Sequence, residues 1–325
     1  MTSLYNIDYL KHLCSKYGLV PSRKYGQNFL INEEPIVAML EAGDVGKDDA
    51  VVEVGPGFGV LTLALAEKVK KLVSFEIEKK LEPYWEKILS CHSERSEESL
   101  SQVERTEILR YTQDDKPKCQ HDKIEIVWGN VLKQEINLEK YKVVANLPYQ
   151  ITSNVIRKFL EAEEKPELMV LMVQKEVAER ICAKPGDMSV LAISVQYYAE
   201  PEIIMQVPRS YFWPVPAVDS AVIKITPKKS VCHSERSEES LSQSPNGQRS
   251  FVSTQDDKCG GDIRFFKIVK AGFASRRKML IKNLGAVTDK KTLPAIFKEL
   301  GINEKVRAQE LSVEKWRDLV AKLSF

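Results

Sequence analysis

The sequence lacks any apolar run long enough to cross a bilayer, and its first ten residues contain no signal-peptide core. We therefore expect a cytoplasmic protein that enters no membrane. Cysteine and histidine are scarce, with six and four residues, and most of them lie in two repeated segments. Cys91, His92, Cys119 and His121 could be drawn as a zinc site, but no pair has zinc-finger spacing. We therefore predict reduced thiols and no bound metal.

The sequence also has little net charge, +2 at neutral pH, but this charge is unevenly distributed. Residues 262–325 contain 15 Lys and Arg against seven Asp and Glu. Such a basic segment suggests a polyanion partner, although a solvated basic surface has the same composition. Arg276, Arg277 and Lys278 are consecutive and cannot all face the segment's own core. We take these three residues as candidate phosphate contacts.

Two low-complexity segments interrupt the chain. The sequence of residues 91–102 recurs letter for letter at 232–243, and its Ser, Glu and Gln side chains cannot bury enough apolar surface to order the backbone. We interpret residues 91–122 as an insertion and residues 231–261 as a second insertion or linker. The sequence then divides into a large domain, 1–230, and a small basic helical domain, 262–325.

The large domain shows an α/β pattern that starts from one stretch. A β-branched run beginning at Val51 breaks into the alternate glycines Gly55, Gly57 and Gly59, and helical spacing follows. This predicts strand, glycine turn and helix, with the turn at the carboxyl end of a buried strand. About seven strands with interleaved helices follow the same pattern, which predicts one mostly parallel sheet. The six later strands are predicted at 72–77, 124–128, 141–145, 168–173, 203–207 and 221–226.

Polar residues follow the predicted strands at the same edge of the sheet. Glu76 is placed to accept hydrogen bonds from ribose hydroxyls, and Asn130 is placed to meet an adenine edge. The glycine spacing is G-x-G-x-G, which differs from the G-x-G-x-x-G of dinucleotide sites. Together with Glu53 it resembles the first motif of Rossmann-like S-adenosylmethionine-dependent methyltransferases. A glycine turn that only packs a helix on a strand is the alternative.

The tetrapeptide Asn146-Leu147-Pro148-Tyr149 suggests chemistry on an aromatic amine. Such an amine is a poor nucleophile because its lone pair is delocalised into the ring. The Asn146 side-chain oxygen and a backbone carbonyl, which we assign to Leu147, could accept both of its hydrogens, while Tyr149 offers a flat face for the base. A proline-containing loop with a capping Asn is the alternative interpretation.

Two further segments have no clear period and are predicted as loops. Residues 21–30 precede the glycine turn and could fold over the crevice as a lid. Residues 208–220 hold aromatic side chains between prolines, and Phe212 or Trp213 could close the other face of a flipped base. Equally, these aromatic rings could cover the hydrophobic core at a sheet edge.

Six motifs taken together resemble the KsgA-type ribosomal RNA adenine dimethyltransferases, in the family order and over nearly the whole chain outside the insertions. These are YGQNFL, EVGPGFG, NLPY, QKEV, FxPxPxVDSAV and AGFASRRK. The resemblance implies a catalytic methyltransferase domain and S-adenosylmethionine as cofactor. It places the cofactor at Gln27, Asn28, Leu30, Gly55, Gly57, Glu76, Asn130 and Asn146. It places the catalytic residues at Asn146, Leu147, Pro148, Tyr149 and Phe212, with Tyr149 and Phe212 flanking the target adenine.

The resemblance also implies a reaction and a partner. The expected reaction is dimethylation of N6 on two adjacent adenosines near the 3′ end of small-subunit ribosomal RNA, within a pre-ribosomal particle and by a monomer. Two alternatives are an adenine methyltransferase for large-subunit RNA or DNA, and an RNA-binding assembly factor without turnover. At Asn130 the family usually has Asp, so we expect weaker cofactor binding here.

Overall fold

The computed structural model describes residues 3–21, 28–90, 120–228 and 256–323. Most of both predicted insertions, at 91–119 and 229–255, therefore lies outside the described residues. The predicted cofactor-binding residue Gln27 and the cysteines of the possible zinc site also lie outside them. No helix in the described part of the chain is both long and apolar enough to cross a membrane.

Internal contacts divide the chain into two units. The first comprises Met1–Cys182 and Tyr198–Pro227, and the second comprises Ala183–Tyr197 and Lys228–Phe325. The first unit is α/β and the second is helical, as predicted. Residues 183–197 belong to the helical unit, whereas the sequence prediction placed them in the large domain. The reason is that helix 190–198 is apolar on most sides, so its pattern does not indicate which core it joins.

The strands of the first unit are β1 (Phe29–Leu30), β2 (Ala50–Val54), β3 (Lys71–Glu76), β4 (Ile124–Trp128), β5 (Lys142–Asn146), β6 (Leu168–Gln174), β7 (Ala199–Val207), β8 (Phe212–Trp213) and β9 (Ser220–Pro227). Seven of them form one sheet in the order β4-β3-β2-β5-β6-β9-β7. Within that described sheet, β9 is the one strand that runs in the direction opposite to the other six. The prediction of a mostly parallel seven-stranded sheet is confirmed.

Helices flank this sheet, at α1 (Ile7–Lys16), α2 (Glu34–Ala42), α3 (Val60–Ala66), α4 (Glu82–Ser90), α5 (Thr152–Glu161) and α6 (Lys175–Ile181). Val51, Val52 and Val170 have no exposed surface, which is the reason the central strands read as continuous apolar runs. The strand order reverses beside β2, so that β3 and β5 lie on its two sides. This reversal opens a crevice at the carboxyl ends of the strands.

A second, two-stranded sheet was not predicted. β1 pairs antiparallel with β8, with Phe29 opposite Trp213 and Leu30 opposite Phe212. Both segments were predicted as loops, and that prediction is wrong at these residues. Strands of two residues are too short to show an alternating pattern, and the pairing joins distant parts of the chain. The pairing brings the predicted lid segment and the predicted aromatic loop together.

The described helices of the second unit are α7 (Val190–Tyr198), α8 (Asp256–Gly272), α9 (Leu280–Leu284), α10 (Leu293–Glu299) and α11 (Val313–Lys322). The last residue of α7, Tyr198, is assigned to the first unit. These helices enclose a core of their own that includes Phe265, Leu280, Phe297 and Trp316. The last three of these side chains have no exposed surface. Gly272 packs directly against the Trp316 ring, where a side chain would overlap it.

Candidate active site

The turn between β2 and α3 has a fixed backbone shape. Gly55, Gly57 and Gly59 have φ angles of 76°, 57° and 89°, which glycine adopts without the strain that other residues incur. From α4, Trp85 Nε1 donates a hydrogen bond to the Gly57 carbonyl oxygen at 3.0 Å. The Trp85 side chain is 1% exposed, so its position is set by packing. A ligand therefore meets a turn whose conformation is already determined.

Glu76 ends β3 beside this turn and is 5% exposed. Its Oε2 accepts from the Gly57 amide at 3.1 Å, and its Oε1 accepts from the amides of Ile77 and Glu78, both at 2.8 Å. Burial raises the pKa of the Glu76 carboxyl, and these three hydrogen bonds oppose the rise. Each carboxylate oxygen has further lone-pair capacity, so Glu76 can still accept a hydrogen bond from a ligand hydroxyl.

A second buried carboxyl, Glu53, lies behind the turn on β2. It is 1% exposed, and Ser74 Oγ on β3 donates to Glu53 Oε2 at 2.7 Å. Burial raises the pKa of Glu53 to about 7; the charge of Glu76 adds to this rise, whereas the Ser74 hydrogen bond opposes it. The Glu53 carboxyl is thus partly protonated near neutral pH.

Asn130 follows β4 and lines the same crevice. It caps a short 3₁₀ turn, Val131–Lys133, and its Oδ1 accepts from the Leu132 amide at 2.9 Å. The sequence placed Asn130 at this edge but gave no sign of the capping contact. This side chain therefore has a structural partner as well as a place in the crevice wall.

The tetrapeptide at residues 146–149 begins at the end of β5, the strand next to β2. The Leu147 amide donates to the Met172 carbonyl oxygen at 3.1 Å, which fixes the segment against β6. A Cβ atom on Gly55 would lie 3.8 Å from Pro148 Cδ, so the glycine turn and the tetrapeptide lie side by side in the cavity wall. Among the described residues, none donates to the Leu147 carbonyl oxygen or bonds the Asn146 side chain. Both groups can therefore receive a ligand.

Tyr149 is half-buried, and its hydroxyl lies 2.8 Å from the hydroxyl of Ser220 on β9. Ser220 has no exposed surface, so this hydrogen bond satisfies a buried polar group. Burial raises the pKa of Tyr149, which keeps its hydroxyl protonated. The sequence analysis named Ser220 only as part of the motif FxPxPxVDSAV and did not predict this hydrogen bond.

Phe212 and three leucines complete the wall. Phe212 is 1% exposed and belongs to the core cluster that includes Leu30, although it also lines the crevice. Leu4, Leu10 and Leu19 of the N-terminal segment line it as well. No site role was predicted for these leucines from the sequence. Only Leu10 lies in α1, and the apolar face of that helix is equally typical of an ordinary surface helix.

The lining residues enclose a cavity of about 550 Å³ within the first unit. Every predicted cofactor or catalytic position that the structure describes lies in its wall, namely Asn28, Leu30, Gly55, Gly57, Glu76, Asn130, Asn146, Leu147, Pro148, Tyr149 and Phe212. Their roles stay predictions. In the part of the chain that is described, no group of three His, Cys, Asp or Glu could hold a metal ion.

The predicted phosphate contacts lie in the second unit. Arg276, Arg277 and Lys278 are all exposed and occupy the turn between α8 and α9. Asn283 anchors this turn, because its Nδ2 donates to the Gly272 carbonyl at 2.6 Å and to the Ser275 carbonyl at 3.0 Å. The three cations make no salt bridge with any residue in the described ranges. The structure thus presents three positive charges on one anchored turn.

Comparison with known proteins agrees with this geometry. The model of the family described as ribosomal RNA adenine dimethylase matches residues 21–243. Three relatives bear the name ribosomal RNA small subunit methyltransferase A. The relative from Dehalococcoides mccartyi strain 195 is 36% identical, over 95% of this chain and 90% of its own. The relative from Bacillus thuringiensis is 32% identical, over 95% and 93%, and that from Clostridioides difficile is 35% identical, over 94% and 92%.

Two solved structures share the fold. The 23S rRNA methyltransferase ErmE superposes with a TM-score of 0.62 at 23% identity, covering 91% of this chain and 99% of that one. A dimethyladenosine transferase from Plasmodium falciparum gives the same TM-score and identity, covering 89% and 95%. At this identity the two structures establish the Rossmann-like methyltransferase fold.

Proposed function

Because the chain belongs to the ribosomal RNA adenine dimethylase family, we propose that it dimethylates N6 of two adjacent adenosines near the 3′ end of small-subunit ribosomal RNA. The observation that carries this proposal is that the glycine turn and the tetrapeptide lie side by side in the wall of one cavity. It joins a place for a methyl donor to a place for an aromatic amine. The enzyme is accordingly an rRNA adenine dimethyltransferase.

The cavity suits S-adenosylmethionine as the methyl donor. Its volume, about 550 Å³, falls within the usual range for small-molecule sites. The backbone of Gly55 and Gly57 leaves room for close approach, Glu76 can accept from ribose hydroxyls, and Asn130 lies one strand further along for the base. When bound, the cofactor supplies a methyl group that its sulfonium already activates, so the protein needs no strong general base.

The protein's own contribution is to hold the target amine. The Asn146 side-chain oxygen and the Leu147 carbonyl oxygen can accept the two amine hydrogens, which favours a pyramidal nitrogen with an exposed lone pair. The Tyr149 ring offers a face for the base, and Phe212 lies in the same cavity wall. Alignment and electrostatics account for the rate in this scheme.

We expect Arg276, Arg277 and Lys278 of the second unit to contact phosphate groups of the RNA. Changing all three to Ala should make the slope of log K against log salt less negative by about 2–3, since each phosphate contact contributes roughly 0.7–0.9. The matched control replaces three exposed lysines of the same unit, Lys290, Lys291 and Lys298. A slope that the substitution of residues 276–278 leaves unaltered would remove this turn from the interface.

The proposed setting is a pre-ribosomal small-subunit particle in the cytoplasm, with the protein acting as a monomer. The test supplies the purified full chain with methyl-labelled S-adenosylmethionine and immature small subunits from cells that lack this enzyme. Two adjacent dimethyladenosines near the 3′ end are expected, and Asn146→Ala should abolish the label. No label with the unaltered chain would refute the proposal, and so would label that appears only in parallel reactions supplied with large-subunit RNA or DNA.

A further inference from the structure

The side chain of Asn130 has one acceptor atom, Oδ1, and the protein already uses one of its two lone pairs. Its Oδ1 accepts from the Leu132 amide at 2.9 Å and thereby caps the turn Val131–Lys133. Rotating the amide by half a turn would set its NH₂ group against the Leu132 N–H, placing two donors together. The capping contact therefore fixes which end is the oxygen. Asn130 can therefore offer a ligand the second lone pair of Oδ1 as an acceptor and Nδ2 as a donor.

The position of Asn130 places its side chain next to the expected site of the cofactor's base. β3 and β4 are neighbouring parallel strands, with Glu76 opposite Trp128. Asn130 lies two residues beyond Trp128, and both Glu76 and Asn130 line the cavity. Ribose and base are covalently joined, so a ribose held at Glu76 places its base at the end of the adjacent strand. This step rests on the proposed function, because it takes an adenosyl cofactor as the occupant.

Adenine and hypoxanthine differ at the edge that such a side chain can read. The 6-amino group of adenine donates hydrogen bonds, whereas the 6-oxo group of hypoxanthine accepts them. A carboxylate at position 130 would have two oxygens, one for the Leu132 amide and one for the amino group. An amide has one oxygen, which must accept from both the Leu132 amide and the amino group, but its Nδ2 can donate to a 6-oxo group.

We propose that Asn130 makes the base specificity of this cofactor site permissive, so that 6-oxopurine cofactor analogues bind about as well as adenosyl ones. The residue is thus a specificity determinant that distinguishes this chain from one with Asp at the same position. A binding site that pairs a buried donor or acceptor with the correct ligand group usually rejects the mismatched analogue strongly. Asn130 relaxes that rejection because neither base edge leaves it fully mismatched.

The experiment measures binding of S-adenosylhomocysteine and S-inosylhomocysteine by titration calorimetry. Both ligands have an uncharged sulfur, and the ratio of their dissociation constants on one protein cancels general effects of site charge. For the unaltered chain the ratio, inosyl over adenosyl, should lie within about threefold of one. For Asn130→Asp it should rise by about tenfold or more, on the order of one charge-assisted hydrogen bond gained by one ligand and lost by the other.

Asn130→Asp keeps an acceptor for the Leu132 amide, so the turn should remain capped. Asn130→Ser also keeps a capping oxygen but removes Nδ2, and it should weaken S-inosylhomocysteine more than S-adenosylhomocysteine. Rejection of S-inosylhomocysteine by tenfold or more in the unaltered chain would overturn the inference, whatever the variants do. Failure of both ligands to bind the unaltered chain would instead refute the proposed cofactor site, and the inference with it.

Discussion

Replacing Gly59 by Ala should separate backbone strain from packing at the glycine turn. Gly59 has a φ angle of 89°, and a Cβ atom there would lie 2.8 Å from Trp85 Cη2 and 3.2 Å from Cζ2. The ring cannot move freely, because it is buried and its Nε1 is bonded to the Gly57 carbonyl. The methyl group must therefore displace either the ring or the turn.

The two effects have different sizes and can be measured apart. A left-handed conformation costs a non-glycine residue about 1–2 kcal/mol, and overpacking a rigid core costs about 1–3 kcal/mol. Gly18 has a φ angle of 60°, and no atom lies within 4 Å of the place that a methyl group would take there, so Gly18→Ala isolates the strain. Gly46 has no positive φ and its nearest neighbour would be 3.8 Å away, so Gly46→Ala should change little.

The assay is urea denaturation of the three variants with parallel calorimetry of S-adenosylhomocysteine binding. Gly59→Ala should lower the free energy of unfolding by about 2–5 kcal/mol, and by at least about 1 kcal/mol more than Gly18→Ala. It should also weaken ligand binding, since Trp85 holds the Gly57 carbonyl. Equal losses for Gly59→Ala and Gly18→Ala would show that the Trp85 contact contributes nothing and that the packing argument is wrong.

Two further predictions concern buried polar groups. Burial raises the pKa of Glu53 from 4.5 to about 7, so the stabilisation that the protonated carboxyl provides is lost as pH rises between those values. Between about pH 5 and 8, the free energy of unfolding should therefore fall by roughly 2–3 kcal/mol less in Glu53→Gln than in the unaltered chain. Parallel slopes of unfolding free energy for variant and unaltered chain would contradict this. Tyr149→Phe and Ser220→Ala should each lower kcat/KM by roughly fivefold, the worth of one hydrogen bond, and the double variant should be no worse than Tyr149→Phe. Additive losses in this cycle would show that the two hydroxyls act independently.

The sequence predicted the large sheet because its central strands are buried on both faces. Val51 and Val52 are apolar whichever side they face, and glycines or polar residues mark the end of each strand at one common edge. The residues at that edge were predictable for the same reason, since parallel strands end together. The strand ends alone therefore located Glu76, Asn130 and Asn146 in the crevice.

Other features depend on contacts that no local pattern encodes. The pairing of Phe29 with Trp213 involves two residues from each strand, which is too short for periodicity. The hydrogen bond between Tyr149 and Ser220 joins residues far apart in the chain. The capping role of Asn130 appears only once the backbone turn after β4 is known. Sequence therefore identified the residues, whereas the use of their individual atoms required the structure.

The place where the chain leaves the described region after α4 has a practical consequence. Residues 91–119 connect Ser90, the last residue of α4, to the turn Gln120–Lys123. This turn contacts α4 and directly precedes β4. The second junction adjoins the amino end of β4, whereas the cavity lies at the carboxyl ends of the strands. A reporter protein or affinity handle inserted there would be attached at the opposite edge of the sheet from the cavity, which makes this junction a practical attachment point.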